Sequence, residues 1–262
     1  MENFSKYIPR EYLALEINYC RKRLEELPKV KLHHYKINGE FRIKVVVDEH
    51  KYDVESPLGK EFYKIWQERD ELKRQLQIGE AVWHSYFLGE PPSDCAPHEI
   101  KRYLRVSYDK RVPMDKAFFD SLNNDDNSRY FKYKNNYFNG IYYRSSAERD
   151  IAIYYTENDI PFKYEPSLII YGLTKTINPD FVLYIKELNT CKIHEHLGMK
   201  ESSDYLRDSK VKYNNYLNAG LIPDYDVIFT HDSEDVPFDI RVLAAKLNSA
   251  IYGTIASGDQ LF

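Results

Sequence analysis

Two carboxylates, Asp180 and Glu195, stand where a sheet would bring them together. Asp180 opens an apolar run, Phe181 to Ile185, and Glu195 lies near the end of another, Cys191 to Leu197. Both runs read as short strands joined by a polar turn. Carboxylates are poor strand residues and are rarely buried unpaired. Two of them on adjoining strands can meet at one sheet edge, where they repel unless a cation lies between them. Oxygen-only ligation of that kind suits Mg²⁺ or Mn²⁺. The plainer alternative has Asp180 capping a turn and Glu195 solvated at an edge.

A third acid, Glu148, shares a helical face with Ile151, Ala152 and Tyr155. That face should pack on a sheet, and a glutamate there needs something to satisfy it. It also stands in the first turn of its helix, where a carboxylate complements the helix dipole. Two lysines of a later helix bear on the same chemistry. Lys212 shares a stripe with Tyr205, Ser209 and Tyr216, and Lys210 shares a more apolar one with Leu206, Tyr213 and Leu217. A lysine beside two carboxylates and a metal can orient a water and stabilise charge on a pentacovalent phosphorus. His194 and His196 flank Glu195 on the opposite strand face, which argues against a shared zinc site. Lys163 and Glu165 read as an edge ion pair, with Glu165 within reach of the acidic cluster.

The elements that must position these residues follow in order. Tyr130–Tyr137 and Ile141–Arg144 flank Asn139-Gly140 as a hairpin. Ser145 or Ser146 caps a helix to about Asn158. Strands are expected at 161–167, 180–185 and 191–197, then a helix from a Ser202 or Ser203 cap to Asn218, a strand at 226–230 and a helix at 237–252. A mixed central sheet flanked by helices follows from that order. The front of the chain reads as a helix at 10–27, a hairpin of Val30–Ile37 and Glu40–Val47 about Asn38-Gly39, and a long charged helix at 57–87. Its heptads are too few to claim a coiled coil. Residues 98–125 suggest a short helix or two, and Asn123–Ser128 is the best linker. Two regions result, 1–125 and 126–262.

Composition narrows the class. With 262 residues, 43% hydrophobic and 30% charged, the chain is expected to be soluble and globular, with no membrane partner. Cys20, Cys95 and Cys191 lack any CxxC spacing, and the first residues lack an apolar signal core, so a reducing, cytoplasmic setting is expected. A net charge of -4 does not announce a nucleic-acid binder. Residues 1–75 hold 16 Lys/Arg against 14 Asp/Glu, so any basic bias is slight and N-terminal.

Over Tyr130 to Tyr252 the pattern resembles the PD-(D/E)XK nuclease superfamily. The likeness rests on Arg144-Ser-Ser-Ala-Glu-Arg-Asp-Ile-Ala, Pro161-Phe-Lys-Tyr-Glu-Pro, Asn178-Pro-Asp-Phe and Glu195-His-Leu-Gly-Met. It is similar to a bacterial branch in which Glu-His-x-Gly stands in place of Glu-x-Lys: the usual lysine position is Leu197. The branch pattern points to Lys212, with Lys210 as the alternate, as the relocated lysine. The resemblance implies a restriction-endonuclease-like α/β core and metal-assisted hydrolysis of phosphodiester bonds. Asp180, Glu195 and the backbone carbonyl of His196 would hold Mg²⁺ or Mn²⁺, and Glu148 a second metal or its water. Lys212 would position the attacking water, and Gly198 would let phosphate approach the backbone. The implied partner is nucleic acid, double-stranded DNA first, in a defence or mobile-element setting. A homodimer or partner protein would engage through the N-terminal region. The competing reading, from the missing strand lysine and the acidic charge, is a nucleic-acid- or protein-binding module that keeps the fold without turnover.

Overall fold

A computed structural model of the chain describes residues 7–198, 203–233 and 235–257. Over these it is a mixed α/β protein with six α-helices and four separate sheets. No described helix is long and apolar enough to cross a membrane. Two compact units emerge, one of residues 13–97 and one from the chain before Leu13 and after Pro97.

The 13–97 unit takes in most of α1 (Arg10–Glu26), the strands β1 (Val30–Ile37), β2 (Glu40–Val47) and β3 (His50–Asp53), and α2 (Pro57–Tyr86). Asn38 and Gly39 both have positive φ, 50° and 86°, so the two-residue turn sets the register from Ile37↔Glu40 to Val30↔Val47. Alternation then puts Val30, Val45 and Val47 on one face, buried against Phe62, Tyr63 and Trp66 of α2. Ser56 caps α2, accepting from the Gly59 amide, and Pro57 fills its first turn, where no N–H is missed. Leu72, Leu76 and Ile65 of α2 pack with Cys20 and Leu24 of α1 and with Leu27 just after it, so this apolar stripe is used within the unit. Arg69 donates to the carbonyls of Leu24 and Leu27 at 2.7 and 2.8 Å and closes the C-terminus of α1. Trp83 is fully buried, its indole N–H on the Gly89 carbonyl at 2.8 Å.

In the second unit come β4 (Tyr103–Arg105), β5 (Arg111–Pro113), α3 (Lys116–Ser121), β6 (Tyr137–Phe138), β7 (Ile141–Tyr142), α4 (Ser146–Glu157), β8 (Phe162–Tyr164), β9 (Phe181–Ile185), β10 (Thr190–Gly198), α5 (Ser203–Asn218), β11 (Val227–Asp232) and α6 (Ile240–Ala256). The main sheet has the order β11-β10-β9-β8, antiparallel but for the parallel β10–β11 pair. One face carries Val182, Cys191 and Ile193 under α3 and α5, through Phe119, Leu122 and Tyr216. On the other, Tyr155 of α4 meets Phe181 and His194 edge-on.

Several expectations shift here. Residues 98–125 form a two-stranded sheet and one short helix instead of helices alone. Leu104, Met114, Phe119 and Leu122 share a core with Val182 and Ile193, and Arg102 pairs with buried Asp226 at 2.5 Å. The expected division at 125/126 therefore falls inside this unit. Asn123–Ser128 is not a free linker: the amides of Asp125 and Asp126 donate to the carbonyls of Tyr164 and Glu165. The hairpin about Asn139-Gly140 is only two residues deep on each side. Leu168 bridges to Ile177 across a loop, and α6 starts at Ile240 behind an Asp239 cap. Ser202, one of the cap candidates for α5, lies outside the described residues.

Candidate functional site

The pairing Phe181↔His194 fixes which side chains meet across β9 and β10. The next positions outward, Asp180 and Glu195, point to the opposite face from that pair. Both are buried, at 2% and 0% exposure. Asp180 Oδ2 accepts the His196 amide at 2.7 Å, and Asp180 lies within hydrogen-bonding reach of Glu195. From α5, Lys212 Nζ reaches Glu195 Oε2 at 2.6 Å, and the Tyr216 hydroxyl donates to Glu195 Oε1. Lys212 and Tyr216 are one helical turn apart, so one face of α5 delivers both. Lys210 is exposed.

Glu148 enters from α4. Ser145 caps that helix and accepts the Glu148 amide at 3.0 Å. The Glu148 carboxylate turns back onto the Arg144 amide at 3.1 Å and the Tyr164 hydroxyl at 2.7 Å. The spacing is that of Ser-x-x-Glu, but the glutamate takes the amide of Arg144, one residue before the cap, and not that of Ser145. The carboxylate also belongs to the acidic cluster, because the Arg144 guanidinium spans Glu148 at 3.2 Å, Glu165 at 3.0 Å and Asp180 at 2.5 Å. Arg144 is further held over the Tyr130 ring, 5.3 Å from its centroid.

Glu165 does not pair with Lys163. It is fully buried, accepts from Asn127 at 2.9 Å and pairs with Lys132 at 3.1 Å as well as with Arg144. Its backbone is left-handed, φ 43°, at the end of β8. That turn breaks the alternation expected of the 161–167 strand and carries the carboxylate inward. Lys163 instead lies over the Phe119 ring.

Burial and the neighbouring Asp180 push Glu148 up to about 7. Burial likewise lifts Glu195 to about 7, with Asp180 adding to the rise and Lys212 opposing it. Asp180 goes the other way: burial would raise it, but Lys212, Arg144 and the His196 amide together hold it below the usual carboxylate range. Arg144 and Lys212 are both raised, since the carboxylates outweigh the cost of burying a cation. Asp180 is thus held more acidic than usual, while Glu148 and Glu195 are held less so.

The donor set is all oxygen. Four buried carboxylates, Glu148, Glu165, Asp180 and Glu195, face three cations, Lys132, Arg144 and Lys212. Lys132 also serves Asp125, and Glu148 and Glu195 are pushed up to about 7, so no fixed surplus of charge follows; the oxygen donors are of the kind a hard divalent ion takes. A cleft of about 220 Å³ opens onto the cluster, lined among others by Tyr130, Arg144, Asn178, Glu195, Lys212 and Tyr216. A larger cavity of about 720 Å³, beside β11 and the start of α6, is lined by His231 and Phe238 and by none of these four acids.

His194 sits on the other face, as alternation requires, with Tyr155 and Thr230 hydroxyls at 2.7 and 2.8 Å on its two ring nitrogens. His196 also uses Thr230, at 2.9 Å. Both rings are thus tied into the core away from Glu195.

Reading the sequence passed over Arg144, Lys132 and Tyr164. Arg144 and Tyr164 stand inside the quoted motif segments without a role assigned to them, and Lys132 left no signal. Neither a family model, nor a curated protein, nor a solved structure matches the chain.

Proposed function

We propose that the second unit is a metal-dependent nuclease hydrolysing phosphodiester bonds of DNA, built on a restriction-endonuclease-like core. One observation carries the reading: Asp180 and Glu195 lie side by side and buried on one sheet face, with Lys212 of the following helix on Glu195. The order α4-β8-β9-β10-α5-β11-α6 supports it. Asp180, Glu195 and the His196 carbonyl would hold Mg²⁺ or Mn²⁺, with Glu148 close by. When bound, the ion supplies Lewis acidity toward phosphate oxygens and acidifies water. The chain's own part is then electrostatic. Lys212, raised in pKa and so charged throughout the neutral range, fixes the orientation of Glu195 and offers its remaining N–H groups to the attacking water or a phosphate oxygen. Tyr216 holds the other Glu195 oxygen. Arg144, partly exposed in the cleft, can pass from the carboxylates to a phosphate, which its planar fork matches.

A second reading is favoured by one feature: Arg144 and Lys212 already neutralise the acids, as a non-catalytic binding module would require. Plasmid cleavage separates the two. Supercoiled DNA is incubated with wild type, Asp180→Ala and Glu195→Ala, in Mg²⁺, Mn²⁺ or EDTA. The nuclease reading expects nicking that needs metal and falls by at least ~100-fold in both variants, the scale of losing a transition-state electrostatic contact. No nicking together with no Mn²⁺ binding by calorimetry would leave the binding module.

A further inference from the structure

The 13–97 unit presents a second surface with chemistry of its own. The register of its sheet puts Lys31, His33 and Tyr35 of β1, Arg42 and Lys44 of β2, and Lys51 of β3 on the face turned away from α2. Lys31, His33, Arg42 and Lys51 are exposed, and Tyr35 and Lys44 half-buried. The rings of His33 and Tyr35 run nearly parallel, 13° apart with centroids at 6.1 Å. Lys44 Nζ lies 5.4 Å from the Tyr35 centroid, and Lys51 Nζ lies 3.5 Å from His33 Nε2. Acids on this face stand at its margins. Glu40 flanks the turn and touches Arg42 at 3.5 Å, and Asp53, which ends β3, is the cross-strand neighbour of Lys44. Among the described residues, Lys31, Lys44 and Lys51 have no carboxylate partner.

We propose that this face binds single-stranded nucleic acid. Four cations within one small sheet, Lys31 and Lys51 among them without an acid opposite, suit a phosphate backbone, in a chain whose net charge is -4. The aromatic pair selects the strandedness. A duplex keeps its bases stacked on each other and would meet only the cations, whereas the splayed bases of a single strand can lie on Tyr35 and His33. The exposed tip continues the pattern on the other face, with Lys36 5.1 Å from the centroid of Phe41, which is 82% exposed. None of this requires the carboxylate site to turn over, so the proposal goes beyond the nuclease reading and does not depend on it.

The test is fluorescence anisotropy of the full chain in EDTA, with a labelled oligothymidine and a duplex of equal length. The chains compared are wild type, Tyr35→Ala, Tyr35→Phe and the triple Lys31→Glu/Lys44→Glu/Lys51→Glu. All the sheet substitutions point outward and leave the packed face intact. Wild type should bind the single strand more tightly than the duplex. Tyr35→Ala should weaken that binding about tenfold or more, as loss of a stacking platform does, and Tyr35→Phe should restore it. The triple variant should flatten the salt dependence by about two units of slope. Unchanged affinity in the triple variant, or duplex binding that equals single-strand binding with Tyr35→Ala silent, would overturn the proposal. Absence of plasmid cleavage would not touch it.

Discussion

Arg144 spans Glu148, Glu165 and Asp180 at 2.5 to 3.2 Å, each of the three acids buried. Removing one partner of a buried ionic cluster leaves the others uncompensated. Arg144→Ala should therefore cost about 3 kcal/mol or more of stability in metal-free buffer, read from urea unfolding. Mn²⁺ should return part of that loss if the acids take up a cation; a metal-independent loss would count against ligation. Glu195 gives a pH signature. Its folded pKa, about 7, lies above its ordinary value of 4.5, so between those limits the folded state holds a proton that the unfolded state has released. Stability supplied by Glu195 is complete below 4.5 and falls as pH rises through 7, by about 3 kcal/mol at 1.36 kcal/mol per unit. Glu195→Gln should lose that slope, so its stability relative to wild type in EDTA should improve from pH 4.5 to 7; parallel curves would contradict it. Asp180 and Glu195 were legible because strand alternation is local and periodic, whereas Lys212 was singled out over Lys210 by the resemblance and not by its helical stripe. Arg144 was not, and Glu165 only as an acid within reach of the cluster. Their partners lie up to 38 residues away, and Glu165 turns inward through a left-handed backbone that no periodicity announces.

At the scale of elements, a glycine fixes where α2 meets β3. A Cβ at Gly59 would stand 1.8 Å from the Asp53 carbonyl oxygen, a backbone atom that cannot swing aside. Gly59→Ala should cost on the order of 2 kcal/mol or more through forced backbone shifts. The midpoint of chemical unfolding of the 13–97 unit measures it, and no shift would show that the helix start can slide. Turn chemistry made this region readable, since Asn38-Gly39 sets the hairpin pairing residue by residue. The 98–125 stretch was opaque because strands of three residues are too short to show a period. What organises it is distant: Met114 and the Cys191 amide are joined by a backbone hydrogen bond at 2.7 Å, and Arg102 reaches Asp226. α5 is the opposite case, where Lys212 and Tyr216 sit four apart on a helix whose extent, Ser203–Asn218, follows from its pattern and from Gly220 beyond it.

For the whole molecule, the division into two units makes one earlier detail useful as a reporter. The chain has two tryptophans, Trp66 and Trp83, and both belong to the 13–97 unit, Trp83 with no exposure at all. The unit holding the carboxylates has tyrosines but no tryptophan. Indole emission, excited beyond the tyrosine band, therefore follows one unit, while far-ultraviolet dichroism follows both. Arg144→Ala should move the dichroism transition and leave the emission midpoint in place, and Gly59→Ala should move the emission. Shifts that coincide in both signals would mean that the two units melt as one. Because Trp83 is dry and bonded to the Gly89 carbonyl, its emission should be blue in the native state and red-shift on unfolding, so the N-terminal unit carries a built-in optical label that requires no dye.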